Sequence, residues 1–205
     1  MIEAILHAVL LAFGLILPLG VQNVFIFNQG AVNSRFIRAL PAVLTASVCD
    51  TLLIFAAVGG VSLVILKFAW LETTIYAVGV LFLLYMGFSI WRSKGGGGGQ
   101  SAPLSARKQV LYAASVSLLN PHAILDTIGV IGTSSLAYEG MTKWIFALTA
   151  AIVSWLWFLG LALAGRTLGR VDTTGRSIAV LNTVSALIIW LLALYMALQL
   201  FGILT

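Results

Sequence analysis

Residues 2–27 read IEAILHAVLLAFGLILPLGVQNVFIF. Apart from Glu3 and His7 the run stays apolar as far as Gln22 and Asn23. At ~1.5 Å per helical residue it is long enough to cross the ~30 Å hydrocarbon layer of a bilayer. It carries Glu3 instead of a basic leader, so it reads as a first membrane span and not as a secretory signal. The helix it predicts is interrupted. Pro18 removes a backbone donor and clashes with the preceding turn, and Gly20 loosens the chain further. Carbonyls and amides freed there must find partners inside lipid, and Gln22 and Asn23 can supply some. Residues 110–131, VLYAASVSLLNPHAILDTIGVI, repeat the design with Asn120-Pro121 at the interruption and Asp126 beyond it.

Composition places both runs in a membrane protein. Of 205 residues 61% are apolar, which allows roughly six spans of ~20 residues and little else. Charged residues are 8%, against ~25% in an average soluble domain, too few to cover a water-facing surface. Mean hydropathy is +1.10. Six apolar stretches stand out, near 2–27, 37–66, 74–91, 110–131, 144–164 and 178–203. The net charge of +5 does not form a nucleic-acid stripe, because the eleven Lys and Arg are scattered singly or in pairs. The single cysteine, Cys49, excludes an intrachain disulfide, and two histidines, His7 and His122, argue against a multi-histidine metal or haem site. Neither a metal nor a cofactor is expected.

The basic residues orient the spans. Arg35, Arg38, Arg92, Lys94, Arg107, Lys108, Arg166, Arg170 and Arg176 fall in three loops that share one side of a six-span protein; only Lys67 and Lys143 fall on the other. The excess of nine over two assigns those three loops to the cytoplasm and both termini to the outside. One of the loops holds Gly95–Gly99, five glycines without a side chain to pack. That run reads equally as a flexible tether or as an engineered replacement of a natural loop.

Three matches recur in order in the two halves. Pro18 and Asn23 correspond to Pro121 and Asp126, Val48-Cys49-Asp50 to Val153-Ser154-Trp155, and Leu84-Tyr85-Met86 to Leu194-Tyr195-Met196. A duplication with repeat 1 over 1–93, a loop over 94–107 and repeat 2 over 108–205 follows. Three spans per repeat is an odd number, so the second repeat enters the membrane from the opposite side. The expected fold is an all-α integral membrane domain of six transmembrane helices in two inverted three-helix repeats, with helices 1 and 4 broken at Pro18, Gly20, Asn120 and Pro121. Secondary transporters place their sites near the midplane at such paired breaks.

Ionisable residues at membrane depth mark the site. An aspartate at the bilayer centre costs ~2.5–3.5 kcal/mol on insertion scales. Asp50 lies well inside the second stretch, and Asp126 sits four residues after His122, on the same helix face. A structural reading would pair each acid with a buried base, yet no Lys or Arg falls deep in any of the six stretches. Two carboxylates without fixed cations suit a site that receives a mobile one. Trp155 corresponds to Asp50 in the other repeat, so it either packs between helices or holds a cation over its ring. Trp70, Trp91 and Trp144 read as interfacial anchors, Trp157 as interhelical packing, and His7 as an interfacial hydrogen-bonding group.

With these residues in view, the chain resembles the lysine/arginine exporter (LysE-type) family of bacterial amino-acid efflux proteins, and within it the arginine exporters. The likeness is carried by Leu17-Pro18-Leu19-Gly20-Val21-Gln22-Asn23-Val24-Phe25, Asn28-Gln29-Gly30 and Asp50. It continues in Leu119-Asn120-Pro121-His122, Leu125-Asp126-Thr127 and Trp157-Phe158-Leu159-Gly160-Leu161-Ala162. One departure is Val21, where the family usually has proline; its loss softens the first break. The resemblance implies a secondary exporter of L-arginine, L-lysine or both in the bacterial cytoplasmic membrane. A buried carboxylate holds a cation or a proton but not both well. Proton antiport is therefore expected, with Asp50 and Asp126 as coupling groups. Gln22, Asn23, Asn120 and Trp155 complete the expected substrate site. Rival readings are a neutral amino-acid exporter and a divalent-cation exporter, although hard cations prefer six or more oxygens. A membrane enzyme would need a nucleophile or metal set beside His122 and Asp126, and none accompanies them. The bilayer, the amino acid and protons are the expected partners, with a homo-oligomer left open.

Overall fold

A computed structural model describes residues 1–17, 20–33, 35–61, 69–92, 104–171 and 176–201, and among these every regular element is helical. Pro18 and Gly95–Gly99 lie outside the described residues. The elements are α1 (Ile2–Ile16), α2 (Val21–Val32), α3 (Leu40–Ala56), α4 (Ala69–Arg92), α5 (Ala106–Leu118), α6 (Pro121–Asp126), α7 (Gly140–Val171) and α8 (Arg176–Leu200). Four helical segments are long and apolar enough to cross a membrane alone, within Leu40–Gly60, Thr73–Arg92, Gly140–Val171 and Ile178–Leu200. Two bent pairs make up to six: α1 meets α2 at 79°, and α5 meets the segment that α6 opens at 57°.

Local chemistry explains where the helices begin and end. Ser105 caps α5 by accepting a hydrogen bond from the Lys108 amide. Pro121 stands in the first turn of α6, where its missing amide proton costs nothing. α3 runs on into a π-helical turn, Ala57–Val61, in which Gly60 takes φ +117°, a conformation few other residues accept. α6 likewise runs on into a π-helical turn, Thr127–Gly132, directly after Asp126, and the two π turns pack on each other. The fifth span exceeds its expected range of 144–164. At ~1.5 Å per residue the 32 residues of α7 reach about 48 Å, so the helix tilts or projects beyond the hydrocarbon.

Large apolar side chains point outward: Leu10, Leu52, Leu81, Leu156 and Leu191 are each more than 60% exposed. In water such a surface would drive aggregation; in a bilayer it is the lipid contact. The buried helix interfaces are built largely of small residues, among them Ala4, Ala8, Ala12, Ala42, Ala46, Ala147, Ala150 and Ala162. Lipid tails are as apolar as leucine, so helices associate here through close packing and hydrogen bonds. α2 and α1 pack on α7, α5 packs on α3, α3 on α7, and α4 on α8. The first half-helix pair thus leans on α7, the middle span of the second half, and α5 leans on α3, the middle span of the first.

A polar cavity where the two helix breaks meet

Each break leaves an N-terminus that no side chain caps among the described residues. Gly20 is extended (φ −75°, ψ 175°), and the first backbone bond of α2 runs from Val24 to the Gly20 carbonyl. Asn120 is extended too (φ −80°, ψ 104°), and Ile124 bonds back to its carbonyl. The first amides of a helix have no partner within it. Gly20, Val21, Gln22 and Asn23 from one break, and Asn120, Ala123, Asp126 and Thr127 from the other, line a single cavity of about 100 Å³. Its remaining wall is mostly apolar and includes Leu15, Ile54, Leu83, Phe158 and Ile189.

Asp50 projects into this cavity from the middle of α3. Gln22 Nε2 donates to its Oδ1 at 3.0 Å and Ser154 Oγ donates to its Oδ2 at 2.7 Å. Both donors are neutral, so the carboxylate is oriented without being neutralised. Asn23 stitches the first break: its Nδ2 donates to the Ile16 carbonyl at 2.7 Å, one of the carbonyls freed at the end of α1. Its Oδ1 accepts from Trp157 Nε1 at 3.2 Å. Asn120 is 6% exposed, and its Oδ1 has no hydrogen-bond partner among the described residues. Asn120 lines the cavity, and leaving that buried oxygen without a partner inside a membrane costs ~1–3 kcal/mol.

Five of the six residues singled out in the sequence, Gln22, Asn23, Asp50, Asn120 and Asp126, therefore meet in one place. Trp155 does not line the cavity; its Nε1 donates to Thr51 Oγ1 at 3.0 Å, tying α7 to α3. Its neighbour Ser154, fully buried, is the residue that reaches Asp50. The sequence reading missed Ser154 because serine is common in membrane helices and often bonds its own backbone, as Thr149 does to Ile145. The only hint was its place in the Val153-Ser154-Trp155 match to Val48-Cys49-Asp50. His7 stands apart from the cavity, with Nδ1 2.9 Å from Tyr138 Oη.

A helical membrane bundle that holds a carboxylate in an internal cavity between two broken helices has the architecture of a transporter. The chain belongs to the LysE type translocator family, whose profile matches residues 13–200, and it is a transporter and not an enzyme. It is 54% identical over 200 residues to the putative amino-acid transporter YisU of Bacillus subtilis (strain 168), covering 97% of this chain and 91% of that protein. It is 34% identical over 202 residues to the arginine exporter protein ArgO of Enterobacter sp. (strain 638), covering 96% and 94%. With ArgO of Escherichia coli (strain K12) the identity is 32% over 192 residues, covering 91% and 90%. No solved structure matches the chain.

Proposed function

We propose that this protein exports basic L-amino acids, arginine or lysine, across the bacterial cytoplasmic membrane in exchange for protons. The observation that carries the reading is Asp50, a carboxylate in a membrane cavity whose two hydrogen-bond donors, Gln22 and Ser154, are both neutral. Such a group is satisfied by a travelling cation or by a proton, in turn. The arginine exporters among its relatives favour a basic amino acid as the cation.

The cavity offers complementary groups for each end of that substrate. The Val21 and Gln22 amides at the start of α2 suit an α-carboxylate, because the helix dipole adds to their hydrogen bonds. Asn120 Oδ1 suits an ammonium donor, and Asp50 the side-chain cation. Asp126 is a second carboxylate on the same wall. Asn23 and Trp155 act on the frame, Asn23 by holding the break and Trp155 by holding α3 through Thr51. Moving a single positive charge out of an interior-negative cell costs ~2.3 kcal/mol per 100 mV, and a proton moving in cancels that charge movement. The pairing of each broken first span with the middle span of the other half supports an inverted repeat, 1–93 against 108–205, rocking about the cavity.

Reconstitution in proteoliposomes tests this. Counterflow of labelled arginine or lysine is expected, driven by an imposed pH gradient, with a neutral amino acid poorly carried. Asp50→Asn is expected to abolish the gradient's effect. Wild-type, pH-driven efflux from Asp50→Asn would overturn the coupling scheme, and preferred counterflow of a neutral amino acid would overturn the substrate class.

A further inference from the structure

Helix α2 has two unlike flanks. Toward α7 it is locked. A Cβ on Gly30 would overlap the backbone of Ala162, one on Gly165 the carbonyl of Phe27, and one on Gly169 the carbonyl of Ala31. Around this crossing backbone meets backbone at three places with no side chain between, so α2 and α7 separate only by losing that packing altogether. α4 and α8 also pack on each other, here through a side chain, with Gly87 leaving room for the Trp190 indole.

Toward α8 the flank of α2 is different. Asn182, Ser185, Ile189 and Leu192 follow one another on α8 at helical spacing, and Ile189 and Leu192 line the cavity. On α2 the matching stripe is Val21, at the cavity, then Val24, then Asn28, whose Nδ2 donates to Asn182 Oδ1 at 2.8 Å. Ser185, between the amide pair and the cavity, is fully buried, and its Oγ has no partner among the described residues; Asn28 Oδ1 is in the same condition. Alanine or leucine would fill a permanently closed seam without the ~1–3 kcal/mol that each unpaired polar group costs. Polar groups spaced along a buried seam are useful when the seam opens to water or to a polar solute.

We infer that substrate passes between the cavity and the cytoplasm along the α2–α8 seam, and that the Asn28–Asn182 amide pair is the gate across it. The inference rests on the reading that the cavity carries substrate, and on the orientation that puts the start of α8 in the cytoplasm. In the closed form the amides bind each other. On opening, the α2–α7 body parts from the α4–α8 body, and Asn28, Asn182 and Ser185 offer the passing amino acid polar contacts in place of one another.

The test joins the gate and then loosens it. In a Cys49→Ser background, Asn28→Cys with Asn182→Cys is bridged by a short reducible bifunctional thiosulfonate. Amino-acid counterflow is expected to stop on bridging and to return with dithiothreitol, while either single cysteine is insensitive. Bridged protein that still transports would overturn the gate. A second measurement needs no substrate. Ser185→Cys in inside-out vesicles is labelled by a polar thiol reagent, with and without Asn28→Ala and Asn182→Ala. Labelling is expected to quicken about tenfold, the shift produced by losing one hydrogen bond of ordinary strength. Unchanged labelling would overturn the gate even if the double cysteine variant fails to transport. Failure of the substrate reading shows separately, as loss of basic amino-acid counterflow preference in the unmodified protein.

Discussion

Ser154 Oγ and Asp50 Oδ2 lie 2.7 Å apart although 104 residues of chain separate them. The bond joins α7 to α3 at the depth of the cavity, and with Gln22 it gives each carboxylate oxygen one neutral donor. A carboxylate held in this way keeps its direction while remaining open to a cation or a proton.

Ser154→Ala removes one of the two donors. A hydrogen bond to a charged group contributes ~1.5–3 kcal/mol, so KM for arginine counterflow is expected to rise about tenfold or more. Titrating substrate in proteoliposomes checks this, and an unchanged KM would separate the Ser154 contact from substrate binding.

Asn23 and Asn120 stand at the two breaks, and their substitutions are expected to diverge. Asn23→Ala abandons the Ile16 carbonyl and the Trp157 indole, and should cost ~1–3 kcal/mol of stability, read as a lower melting temperature in detergent. Asn120→Ala removes a buried acceptor that has no partner among the described residues, so the protein should melt no lower than the wild type while binding substrate more weakly. Equal melting losses would contradict the distinct roles.

The α2–α7 contact predicts a contrast among glycines. Gly30→Ala and Gly165→Ala each force a Cβ into backbone and should destabilise by ~1–3 kcal/mol or more. Gly160→Ala, on the same long helix but facing open space, should change stability by less than ~0.5 kcal/mol. Thermal unfolding in detergent distinguishes the three.

The loop charges predict the orientation. A cysteine placed at residue 1 or appended after Thr205 is expected to react with a membrane-impermeant thiol reagent applied to intact cells. One placed at Arg35 or Arg107 should react only after the membrane is opened. The reverse pattern would invert the export direction assigned to the cavity.

Much of this was legible along the chain because hydropathy is a one-dimensional property. Any run as long and apolar as 144–164 must lie in lipid, and any aspartate within such a run must have a reason. Pro121 and Gly20 announced the interruptions because proline and glycine act through their own backbones. Asp50, Asp126, Gln22, Asn23 and Asn120 could be chosen by type and depth alone.

The partners of those residues could not be chosen that way. Trp155 and Ser154 differ by one position, which is about 100° around α7, and only the crossing of α7 with α3 decides which of them meets Asp50. The same holds for Asn28 with Asn182 and for Gly30 with Ala162, where contact depends on how closely two backbones approach. Membership of the membrane is a sum over neighbours in the chain, which the order of residues carries complete. Contact across the bundle is a matter of helix rotation and crossing, and packing settles those only when all the helices are in place.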